Sequence, residues 1–184
     1  MDSIKCGEAQ TFDYIKTQGS YMHVEERMLI NRLSVYVAQK FDPCIIVHIG
    51  VAWGASLYCS RAGAPNATIY GVDVFGKENL RGDPEHKAEL DIQAIRGDSR
   101  TTWEEFDKPI HFLYVDGEHT YSTVSSDIQN WGKKVVPGGI IAFHDCVGCE
   151  VAADVSRAIN DHIKPDQWEY LGIEAWSKYY RKDG

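Results

Sequence analysis

No stretch of this sequence is apolar and long enough to cross a bilayer. The most apolar one, residues 44–59, is 16 residues long and is broken by His48, Ser56 and two glycines, whereas a spanning helix needs ~20. Basic clusters are missing too. Lys133 with Lys134, and Arg181 with Lys182, are isolated pairs, and 27 acids outnumber 19 bases for a net charge of −8. A chain of that charge repels phosphate backbones, which argues against nucleic acid as a partner. Cysteines are few and odd in number, five at irregular spacings, and residues 1–16 hold no continuous apolar segment of the export type. The expectation is a cytoplasmic protein with reduced thiols and no membrane partner. Cys146-Val147-Gly148-Cys149 has no second pair of ligands at similar spacing, so it reads as loop thiols rather than a zinc site. Repeats, low-complexity tracts and linkers are absent as well. The 184 residues therefore read as a single domain over 1–184, with residues 1–19 as an N-terminal extension.

What the sequence does contain is a recurring event. Cys44-Ile45-Ile46-Val47-His48-Ile49 is a nearly unbroken apolar run ending at Gly50. Such a run fits a strand buried on both faces of a parallel sheet. Comparable runs end at Asp73, at Gly97-Asp98, at Asp116 and at His144-Asp145. Between them lie segments of helical character, residues 121–132 and 150–162 among them, and residues 21–40 read as an amphipathic helix capped by Ser20. Strands alternating with helices imply right-handed crossovers and an α/β architecture. Near the end, runs at 168–173 and 176–180 are separated by only two residues. A connection that short makes a hairpin, so the last strand must run antiparallel to its neighbour.

In an open parallel sheet, ligands bind beyond the carboxyl ends of the strands, where the strand order reverses. Each run here ends in glycine or an acid, and four acids would converge on one edge: Asp73, Asp98, Asp116 and Asp145. Any one of them alone reads as a helix cap or turn residue. Gly50-Val51-Ala52-Trp53-Gly54 is a tight turn into a helix, without the GxGxxG of dinucleotide binders. Asp73, 23 residues past Gly50, is placed to accept hydrogen bonds from the two hydroxyls of a ribose.

These motifs, with Gly97-Asp98-Ser99, Asp116-Gly117-Glu118-His119-Thr120-Tyr121, Pro137-Gly138-Gly139 and His144-Asp145, resemble those of class I S-adenosylmethionine-dependent methyltransferases. Within that class they are most similar to small O-methyltransferases of the catechol and macrocin kind. The resemblance implies a Rossmann-like doubly wound sheet of strand order 3-2-1-4-5-7-6, with strand 7 antiparallel. It implies that Gly50, Ala52 and Gly54 wrap the methionine portion of the cofactor, with Ser56 near its carboxylate. Asp73 would hold the ribose, Asp98 and Ser99 would lie beside the adenine, and Asp116 would face the sulfonium. In metal-dependent members the positions of Asp116, Asp145 and Cys146 hold a divalent ion, and that of His119 carries a base. Two residues depart from the pattern: His48 stands where an acid is usual, and Cys146 is a poor ligand for a hard ion.

The expected chemistry is O-methylation of a small hydroxylated acceptor, with Asp116 and His119 as catalytic residues. Mg²⁺ or another divalent cation would be held by Asp116 and Asp145, with His144 or water in place of Cys146. His48 by itself reads as a buried strand residue, and the tail aromatics as packing or as the contact of a homodimer. Two other readings remain open: a non-catalytic S-adenosylmethionine-binding or assembly subunit, and a nucleotide-dependent oxidoreductase.

Overall fold

A computed structural model describes residues 22–74 and 91–184. The Ser20 cap and the N-terminal extension lie outside those residues, as does the segment from Phe75 to Pro84, which by its two glycines and mixed charges reads as a loop in the sequence. Helix α1 (Val24–Lys40) has His23 as its N-cap, whose backbone N–H takes no part in the helix ladder and donates to Glu26 Oε2 at 3.0 Å. It buries Leu29, Ile30, Leu33 and Val37 on one side, each contributing ~1.5–3 kcal/mol by leaving water. Next come β1 (Ile45–Ile49), α2 (Ala55–Gly63), β2 (Thr68–Asp73), β3 (Ile92–Arg96) and the single turn α3 (Ser99–Thr102). The second half holds β4 (Ile110–Val115), α4 (Tyr121–Asn130), β5 (Val135–Phe143), α5 (Ala152–His162), β6 (Trp168–Glu174) and β7 (Ser177–Lys182).

The seven strands form one sheet in the order β3-β2-β1-β4-β5-β7-β6, the order expected. Strands β1 to β5 run parallel, and β7 is antiparallel to both β5 and β6. Alternation along β1 splits the core in two. Ile45, Val47 and Ile49 pack with Val124 of α4 and Val155 and Ile159 of α5. Ile46 packs with Leu29, Leu33 and Val37 of α1 and Leu57 of α2. By the same two-residue period, His48 points toward α1 and α2.

Three boundaries differ from the expectations. The expected helix over 121–132 ends at Asn130, and a 3₁₀ turn (Gly132–Lys134) follows it. Strand β5 begins at Val135, before Pro137-Gly138-Gly139, and its pairing with β4 shifts register between Ile110 and Phe112. Proline has no N–H for the ladder, so its place at this irregularity is the tolerated one. Trp176, expected in the last strand, lies in the turn after Ala175, whose φ is 49°. Its ring meets His23 edge-on at 4.6 Å and lies against Gly148. Among the described residues, no helix is long and apolar enough to cross a membrane.

Candidate active site

The strand order reverses between β1 and β4, and there the ends of the two strands nearly touch. Gly50 follows β1 with φ 82°, and a Cβ on it would fall 1.9 Å from the Asp116 carbonyl oxygen. Only glycine fits, and the close approach puts Asp116 at the centre of the sheet's carboxyl edge. Two clefts meet at this point. One, of about 470 Å³, is lined by Gly50, Ala52, Asp73, Asp98, Ser99 and Asp116, with Arg100, Glu118 and Thr123 among the others. The second, of about 260 Å³, shares Gly50, Ala52 and Asp116 and adds Trp53, Ser56, His119, His144 and Asp145.

Asp73 closes the first cleft from the end of β2. Its Oδ2 accepts from the backbone N–H groups of Val51 at 2.8 Å and Ala52 at 3.3 Å. One carboxylate thus shapes the glycine turn and faces the cleft. Asp98 is a helix cap: it accepts from Arg100 N at 2.9 Å, and the Arg100 guanidinium pairs with both of its oxygens. Those hydrogen bonds hold the Asp98 carboxyl below its ordinary value. Gly54 lines neither cleft; it is the left-handed N-cap of α2, φ 86°. His48 is also outside both. It is fully buried, with Nε2 2.9 Å from Ser60 Oγ, and burial pushes its pKa down to about 3, so it stays neutral.

Beyond Asp116 the chain turns into α4 through a local network. Thr120 Oγ1 donates to Thr123 Oγ1, which donates to Glu118 Oε2, and the Thr120 side chain caps the helix. This pins the segment that carries His119. His119 Nε2 lies 3.4 Å from Asp116 Oδ1 and 3.2 Å from Asp145 Oδ2. Strand β5 delivers the other half, His144 and Asp145, the latter with a left-handed φ of 53°, a conformation aspartate tolerates better than most residues. One ligand atom each from Asp116, His119, His144 and Asp145 falls within 4.8 Å of the others.

His144 is the least exposed of the four, at 6%. Its Nε2 donates to Oε2 of Glu26, 3.1 Å away on α1. Glu26, fully buried, also accepts from the His23 N–H and from Ser177 Oγ at 2.8 Å. A carboxylate can only accept here, so Nε2 carries the proton. The opposite nitrogen, Nδ1, stands 3.1 Å from Asp116 Oδ1 and 3.3 Å from Asp145 Oδ2, yet has no hydrogen-bond partner. Burial alone would lower the pKa of the ring. With no cation present, the surrounding Asp116, Asp145 and Glu26 carboxylates push it up to about 12. Burial also opposes charge on those three carboxyls, but the histidines prevail and hold each below its ordinary value.

Cys146, the position carried over as a metal ligand, is in the core instead. It is buried beside Val155 and Phe143, its thiol donates to the Phe143 carbonyl oxygen, and burial pushes its pKa up to about 11. The residue before Asp145, not the one after it, therefore faces the cluster. In the sequence Glu26 reads only as an acid suited to the first turn of a helix, because nothing local marks it as meeting a partner 118 residues later.

A family model described as a methyltransferase domain matches residues 47–146, more than half of the chain, from β1 through the cluster. The chain belongs to this family. Among curated proteins, the uncharacterized protein y4gI of Sinorhizobium fredii (strain NBRC 101917 / NGR234) is 26% identical, over 60% of this chain. The methyltransferase domain described here spans only 14% of that relative's length. Solved structures share the fold. The O-methyltransferase NovP superposes with a TM-score of 0.69 at 16% identity, covering 90% of this chain and 82% of its own. Cofactor-bound Rv0187 from MTB gives 0.73 at 11% identity, covering 95% and 88%. MycE of the mycinamycin biosynthetic pathway, solved with Mg and SAH, gives 0.62 at 20% identity, covering 95% and 54%.

Proposed function

We propose that this domain transfers a methyl group from S-adenosylmethionine to a hydroxyl oxygen of a small acceptor, with a divalent cation at the cluster. The observation that carries this reading is the meeting of the two clefts at Asp116. The larger has the size of a small-molecule site and an acid, Asp73, at the strand end where a ribose would be gripped. The smaller ends on two carboxylates and two imidazoles. The N-terminus of α2, which has no side-chain cap and carries Ser56 in its first turn, is the kind of helix end that receives a carboxylate such as that of methionine.

Asp116, Asp145 and His144 fit a cation: two carboxylate oxygens flank a buried nitrogen that has no hydrogen-bond partner. Bound there, a divalent ion lowers the pKa of an acceptor hydroxyl, and S-adenosylmethionine supplies the electrophilic methyl. His119, partly exposed beside both aspartates, takes the hydroxyl proton as the C–O bond forms and the S–C bond breaks. The clefts hold the reactants in line, an effect worth up to ~7–11 kcal/mol. The departures that raised a non-catalytic reading, His48 and Cys146, are both packed in the interior and leave the clefts intact. Pairing of two chains through β6, an edge strand with Tyr170 and Ile173 exposed, belongs to the same proposal.

The test is turnover of catechol-like and sugar hydroxyls with S-adenosylmethionine, with and without EDTA, in wild type and His119→Ala. Loss in EDTA, rescue by a divalent ion and a rate fall of ~10²–10⁴ in His119→Ala are expected. Full activity in EDTA removes the cation from the reading, and an unchanged His119→Ala rate across pH 6 to 9 removes the base.

A further inference from the structure

The cluster has a chemical bias. His144 is 94% buried, since only 6% of it is exposed, and its Nδ1 is aimed between two carboxylate oxygens without a hydrogen-bond partner. Because Nε2 donates to Glu26, Nδ1 is the nitrogen whose lone pair is available to a cation that displaces its proton. Without a metal, Nδ1 faces the two anionic oxygens 3.1 and 3.3 Å away only as a protonated N–H⁺; a divalent cation seated among the three would take that proton's place and use the lone pair. Glu26 in turn is fixed by three donors, His23 N, Ser177 Oγ and His144 Nε2. This is the carboxylate–histidine arrangement that orients a metal-binding imidazole and raises its basicity.

Resting on the reading of Asp116 and Asp145 as cation ligands, we infer that His144 Nδ1 completes a mixed nitrogen–oxygen site that takes a first-row divalent transition ion, of the Mn²⁺ to Zn²⁺ series, in preference to Mg²⁺. Mg²⁺ favours an all-oxygen octahedron and gains little from imidazole, whereas transition ions bind imidazole strongly. His119, its Nε2 3.2 Å from Asp145 Oδ2, stands at the rim of the cluster and is left to the acceptor. Glu26 is a positioning residue that acts through His144.

The experiment uses the metal-stripped protein of residues 1–184, titrated separately with MnCl₂, CoCl₂, ZnCl₂ and MgCl₂ by calorimetry. Pulsed electron paramagnetic resonance on the Mn²⁺ form reports directly bound nitrogen. Wild type should bind Co²⁺ and Zn²⁺ at least about 10-fold tighter than Mg²⁺ and show nitrogen coupling to Mn²⁺. His144→Asp should lose the coupling and narrow the gap, His119→Ala should keep the coupling, and Glu26→Gln should weaken Co²⁺ by about 10–100-fold. His144→Asn, uncharged and of similar bulk, serves if the aspartate variant does not fold. Equal affinity for Mg²⁺ and Co²⁺ overturns the inference, as does a preference or nitrogen coupling that survives loss of the His144 ring. Failure to bind any ion overturns the inference and the cation in the proposed function together. S-adenosylhomocysteine binding, measured on the same samples, tests the methyl-transfer reading separately.

Discussion

Asp73 serves two purposes with one side chain. Its Oδ2 is committed to the Val51 and Ala52 backbone N–H groups, so its removal loosens the glycine turn as well as the ribose grip proposed above. Asp73→Ala is expected to weaken S-adenosylhomocysteine by about 1.5–3 kcal/mol, the range for a hydrogen bond to a charged group, as read by calorimetry. Equal binding of NAD by wild type would sink the cofactor assignment. His144 makes a second residue-level prediction, for the metal-free protein. Its folded pKa, about 12, lies above the ordinary 6.5, so the stability it contributes is complete below 6.5 and declines as pH rises toward 12. Asp116, Asp145 and Glu26 are shifted down, so their contributions are present above the ordinary carboxylate range and fade on acidification. Thermal unfolding of the stripped protein should therefore show its highest midpoint between about pH 4.5 and 6.5. The midpoint should fall by pH 9, and His144→Gln should flatten that fall. A midpoint rising from pH 6.5 to 9 without metal would contradict the charge assignment.

The elements were legible in the sequence to different degrees, and the physics says why. Strands β1 and β4 are buried along their whole length, and burial on both faces writes itself as an unbroken apolar run. The two-residue hairpin between β6 and β7 dictated an antiparallel strand before any pairing was known. The start of β5 was hidden, because Pro137-Gly138-Gly139 carries the marks of a turn while occupying an irregular stretch of strand. Asp116, His119, His144 and Asp145 were readable because each sits at or just beyond a strand end. The support behind them was not, since Glu26 comes from a helix whose other residues signal only packing. The contact between β1 and β4 makes its own prediction. Gly50→Ala would drive a Cβ to 1.9 Å from the Asp116 carbonyl oxygen at a φ of 82°. A loss of more than about 2 kcal/mol in denaturant unfolding is expected, with loss of cofactor binding. A variant as stable as wild type would mean the two strand ends can separate.

At the scale of the molecule, the sheet brings together segments that are remote along the chain. The cluster draws on the end of β4 and the end of β5, and Glu26 reaches it from α1, before the first strand. The final tie is Ser177, the first residue of β7, which donates to Glu26 across 151 positions. That bond has a consequence for the order of events during synthesis. The residues that line both clefts are all made before β7 is. Until then Glu26 lacks one of its three donors, and His144 is held by a carboxylate that is itself free to swing. A chain halted short of residue 177 would carry the ligands without the full hold that orients them.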